Sequence, residues 1–137
     1  MDLRTRDLWR HRLLTAQAGY YVLTGFWPLV HLSSFEKLTG PKTDDWLVRM
    51  VGCLAATIGV ALGVAAVRRR GYSSNVVVLA TGSALAFASI DIIYTVIGRI
   101  APIYLADSAL ELGGIVGITL TRCRSDAPPE QAAEASA

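Results

Sequence analysis

The sequence predicts an all-α fold: a four-helix transmembrane bundle built as two helical hairpins. Three observations predict it. Four apolar runs are each near the roughly 20 residues that a helix needs to cross the hydrocarbon core. Charged residues make up 18% of the 137 residues, against about 25% in ordinary soluble domains. The arginines gather at the ends of the runs instead of forming one patch with interleaved aromatics, which argues against nucleic acid as a partner.

The first run, 13–32, follows a basic segment, 1–12. It is too long for the apolar part of a signal peptide, contains Tyr20, Tyr21, Trp27 and Pro28, and precedes no small-residue cleavage site, so it is read as a retained helix. Pro28 lies where it can bend or end that helix. The segment 33–45 carries Gly40-Pro41 and reads as a structured turn region, with Asp44 or Asp45 placed to cap the next helix. The second run, 46–67, and the third, 75–97, hold long stretches with no charge on any face, whereas a soluble helix keeps a polar stripe at 3.6-residue spacing. The fourth run is 103–121, and the Ala-, Pro- and Glu-rich tail 125–137 lacks apolar periodicity and reads as disordered.

Orientation follows from the cations. Arg4, Arg6, Arg10, Arg12, Arg68, Arg69, Arg70, Arg122 and Arg124 fall on one side of the four runs, and Lys37, Lys42, Arg49 and Arg99 on the other. Cytoplasmic loops are enriched in Lys and Arg, so the richer side, with both termini, is expected in the cytoplasm.

Shifting the sequence by 58 residues lays Trp46-Leu47-Val48-Arg49 over Tyr104-Leu105-Ala106-Asp107, and Leu54, Gly59 and Leu62 over Leu112, Gly117 and Leu120. That faint match is the basis for expecting two repeated hairpins. Gly59 and Gly63, like Gly113 and Gly117, have the small-xxx-small spacing that lets helices approach closely in lipid, within the chain or against a second copy or partner helix. Cys53 and Cys123 form no CxxC pair and no zinc spacing.

The residues that can carry chemistry are ionisable. Asp91 falls six residues inside the third run, roughly 9 Å deep at the helical rise. Asp107 and Glu111 stand at i, i+4 on the fourth run and share a face. A charge at membrane depth persists when it pairs, takes up a proton or lines water. Arg49 and Arg99 lie at depths suited to pairing with Asp107, which would make these charges interhelical locks in a structural or assembly subunit. The other reading is an outward-facing polar pocket for a small cation, a proton or an amphipathic ligand. In it Asp91, Asp107 and Glu111 supply charge, Arg49 and Arg99 counter it, Tyr94 and Tyr104 shape the walls, and His31 stands at the rim. No spacing marks a metal site, a phosphate loop, a cofactor or a nucleophile elbow. An enzyme using the acid pair as general acid and base is the least supported reading, and it needs a pocket open sideways to lipid.

The segment 24–49, with Asp91-Ile92-Ile93-Tyr94 and Tyr104-Leu105-Ala106-Asp107, resembles a group of small bacterial inner-membrane proteins with four helices. That resemblance implies fold and location, and no activity. Similarity to DoxX-like and EXPERA-type proteins extends to helix count alone.

Overall fold

A computed structural model describes residues 3–68 and 73–123, and the chain there is all α-helical. The elements are α1 (Leu3–Val30), α2 (Leu32–Thr39), α3 (Asp45–Val67), α4 (Ser74–Val96) and α5 (Tyr104–Cys123). Four are long, and the short α2 occupies the segment read from sequence as a turn region. The tail 125–137 and most of the basic turn before α4 lie outside the described residues.

Two helices, α3 and α4, are long and apolar enough to cross a membrane. The others have the length, 28 residues in α1 and 20 in α5. Gln17, Tyr20 and Tyr21 on α1, and Asp107 and Glu111 on α5, dilute their apolar character. These same side chains build the polar seam described below.

The first helix begins ten residues ahead of the apolar run, carrying the basic segment as helix. Pro28 does not end it: the helix runs on to Val30 with Pro28 buried. His31 then caps α2, its Nδ1 accepting the Ser34 backbone N–H at 3.2 Å. Gly40 closes α2 at φ +87°, a backbone conformation glycine adopts without Cβ strain, and its N–H reaches the Glu36 carbonyl at 2.8 Å. The Glu36 carboxylate accepts the Lys42 N–H at 3.2 Å, and the Trp27 indole donates to Ser34 Oγ at 2.7 Å, so the connection is folded. Asp44 stands at the N-cap of α3, but its side chain makes no capping bond; its carbonyl accepts from Leu47 and Val48 instead.

Buried positions recur at spacings of three and four. They are Leu14, Ala18, Tyr21, Gly25 and Pro28 on α1, and Gly52, Ala55, Gly59, Leu62 and Ala66 on α3. On α4 they are Val77, Ala80, Ala84, Ala88 and Asp91. This is the pattern of helices packed side by side in a bundle. The chain runs up α1, down α3, up α4 and down α5. Opposed pairs fix those directions: Gly25 on Gly52, Ala18 on Gly59, Gln17 by Ala80, and Ser108 by Ala88.

Packing is closest within two hairpins, α1 with α3 and α4 with α5. The first is nearly bare backbone: a Cβ at Gly52 would stand 2.5 Å from the Gly25 carbonyl oxygen, and one at Gly59 2.8 Å from that of Ala18. The repeat expected from the 58-residue shift has no counterpart in packing. Leu62 is fully buried while its match Leu120 is 66% exposed, and Gly117 meets Leu13 of α1 instead of its hairpin partner.

Candidate functional site: an acidic seam between the hairpins

Where the hairpins meet, α1 presents donors and α4 and α5 present acceptors. The Arg10 guanidinium donates to the Thr121 carbonyl at 2.6 Å. Two turns further along α1, Gln17 Nε2 donates to the Ala80 carbonyl at 2.9 Å. The Tyr20 hydroxyl donates to Asp107 Oδ1, and the Tyr21 hydroxyl donates to Glu111 Oε2 at 2.8 Å. The i, i+4 placement of Asp107 and Glu111 thus delivers both carboxyls to adjacent tyrosines. The Tyr21 ring packs edge-on against Phe87, centroids 5.4 Å apart, which fixes its hydroxyl.

Asp91, Ser108 and Glu111 take core positions in the three-and-four spacing. Asp91 is 7% exposed and Glu111 4%. The Asp91 carboxyl lies near those of Asp107 and Glu111. Two buried atoms of the cluster have no hydrogen-bond partner, Asp91 Oδ2 and Gln17 Oε1, and both are acceptors. The seam therefore leaves these two acceptors open.

Among the described residues no basic side chain forms an ion pair with Asp91, Asp107 or Glu111. Among the described residues the ion pair found is Arg10–Asp7, at 3.6 Å on the surface of α1. Arg49 and Arg99 are exposed and pair with neither Asp107 nor another acid. A cleft of about 250 Å³ opens on the flank between α1 and α5, lined by Leu13, Gln17, Tyr20, Glu111, Gly113 and Gly114 among others. It lies beside Glu111 instead of at the outer helix ends, where the sequence led us to expect a pocket mouth. Gly113 and Gly114 have open space at the Cβ position, which keeps the cleft unfilled.

The remaining sequence candidates lie elsewhere. Tyr94 is exposed. The Tyr104 ring lies under Lys42 Nζ at 4.9 Å, a cation–π contact that ties the α2–α3 connection to α5. His31 is an exposed helix cap. Among the described residues no three His, Cys, Asp or Glu side chains converge as metal donors. Sequence reasoning missed Gln17, Tyr20 and Tyr21. Their signal was present: Gln17 and Tyr21 stand at i, i+4 on the same α1 face as buried Leu14 and Ala18, in an apolar run that otherwise has little to hydrogen-bond.

No family model, curated protein or solved structure matches this chain. The site is therefore read from its own chemistry.

Proposed function

We propose that the chain is an integral membrane protein that crosses the bilayer four times, termini in the cytoplasm, and that its acidic seam holds a proton or small cation that it binds or passes on. The membrane reading is supported by α3 and α4, where 28% of each apolar window is buried, so that Leu54, Val60, Val64, Val78, Leu85 and Ile90 face outward. A soluble bundle would bury such faces. Nine inner cations against four outer ones support the orientation.

One observation carries the functional reading: three carboxyls, two of them buried, share a seam with unfilled acceptors, and among the described residues none of the three is in an ion pair. Bare carboxylates there would each face a desolvation penalty of several kcal/mol. A proton taken up by the cluster removes the penalty and turns a spare acceptor into a donor; a cation would be held by two of the carboxyls at most, since no three converge on one point. The flank cleft gives such a group a route to Glu111. It also leaves room for a cationic amphiphile entering from lipid.

The test is a titration of purified protein in lipid nanodiscs, in weak buffer, with sodium, potassium and calcium chlorides. Binding of a cation at the seam releases protons from the native chain and none from the triple variant Asp91→Asn, Asp107→Asn, Glu111→Gln. Identical traces for the two proteins sink the proposal.

A second reading is favoured by the tyrosine bonds themselves. Tyr20–Asp107 and Tyr21–Glu111 join the hairpins, as a structural subunit requires. It makes no use of Asp91, whose Oδ2 bonds to nothing.

A further inference from the structure

A second cavity lies on the opposite flank of α1 from the acidic seam. It is a groove of about 730 Å³ between α1 and α3. Thr15, Ala18, Gly19 and Val22 form one wall, and Gly59 and Gly63 part of the other. The groove is open because those residues are small: a Cβ at Gly19 would meet nothing within 4 Å, and one at Gly63 only the Ala18 methyl at 3.7 Å. His11 and Arg68 flank its lower end. Arg12 stands beside His11, and the sequence continues Arg69-Arg70 past Arg68.

We propose that this groove binds one anionic phospholipid of the cytoplasmic leaflet, acyl chain along the groove and phosphate at His11 and Arg68. The inference rests on the membrane reading above and is independent of the acidic seam. Length and charge select the occupant. From His11 to Leu23 the lining runs over thirteen residues of helix, about 18 Å at the helical rise. Half of a bilayer's hydrocarbon core is about 15 Å. The groove thus spans one leaflet, and its polar end coincides with the basic side of the protein. Basic pockets between helices at the cytoplasmic surface suit anionic headgroups. A second protein helix would meet the same walls but would leave the cations at the mouth without a counter-charge.

The experiment is native mass spectrometry of the full chain, purified in mild detergent and given defined mixtures of phosphatidylglycerol and phosphatidylcholine. The native chain retains one phosphatidylglycerol in at least tenfold preference to phosphatidylcholine. The double variant His11→Asn, Arg68→Gln loses the preference while still carrying lipid. The variant Gly19→Leu, whose Cβ meets nothing within 4 Å and whose side chain enters the groove, loses retained lipid of both kinds. Equal retention of both lipids by the native chain overturns the proposal, as does a Gly19→Leu protein that binds like the native one. A dimer that Gly19→Leu dissociates, with no lipid bound, also overturns it and assigns the groove to a second copy. Failure of the membrane reading is separately visible: the chain would then stay monodisperse in buffer without detergent and would not float with vesicles.

Discussion

The two faces of α1 are held by opposite means. Toward α3, at Gly25–Gly52 and Ala18–Gly59, the backbones come so close that no side chain fits between them, and the groove of about 730 Å³ runs along the edge of that contact. Toward α4 and α5 the contact is hydroxyl and amide on carboxyl and carbonyl, looser, with a cleft alongside. In lipid, apolar burial gives helices little reason to associate, and close packing and hydrogen bonds take its place. The chain uses the first to build one hairpin and the second to join the hairpins. The first leaves nothing to titrate. The second places acceptors where a proton or cation can enter.

The contrast can be broken most forcefully at the dry face. Gly52→Leu drives a Cβ to 2.5 Å from the Gly25 carbonyl oxygen, which is backbone and cannot turn aside. It is expected to cost about 3 kcal/mol or more, at the upper end for overpacking. The check is loss of the monodisperse peak in detergent, while Gly82→Leu, at an open position, leaves that peak in place. At the seam, Tyr21→Phe leaves buried Glu111 without its donor. An expected cost of about 1–2 kcal/mol is measurable by unfolding in mixed micelles, and restoring the bond geometry with Glu111→Gln in the native background should lose less. A cost near zero for Tyr21→Phe would show that the hydroxyl holds nothing.

Asp91→Asn sharpens the distinction between a lock and a site. Asp91 has no basic partner to strand, and an amide can donate to the neighbouring Asp107. The variant is therefore expected to be as stable as the native chain or up to about 1 kcal/mol more so, while proton release on adding cation falls. A marked loss of stability instead makes Asp91 a lock. Smallest of all, Arg49→Gln and Arg99→Gln should each stay within about 0.5 kcal/mol, because both side chains are exposed and unpaired among the described residues.

The helical class was legible because apolar runs such as 46–67 and 75–97 leave no other backbone that satisfies its own hydrogen bonds in lipid. The acids were legible for the same reason: Asp91, Asp107 and Glu111 stand out in an apolar setting. Their partners were not. Reading depth along each helix matched acids to Arg49 and Arg99, but depth says nothing of which way a side chain faces, and both arginines point away from the core. The three-and-four spacing would have placed Asp91 in register with Ala84 and Ala88, and Tyr21 with Leu14 and Ala18. Tyr20 and Tyr21 entered the sequence reading only as residues foreign to a signal peptide, whereas they sit mid-helix with their hydroxyls turned inward. The short α2 went unread because its cap is His31, an uncommon capping residue, and eight residues give too few turns for a periodic signal.

Infrared spectroscopy of the protein in nanodiscs, at neutral pH and without added metal cations, tests the central idea most directly. The account expects a band from protonated carboxyl groups that Asp91→Asn, Asp107→Asn and Glu111→Gln each diminish or shift, and that declines as a bound cation displaces the proton. A spectrum with carboxylates alone, unaltered by cation and by all three substitutions, contradicts it.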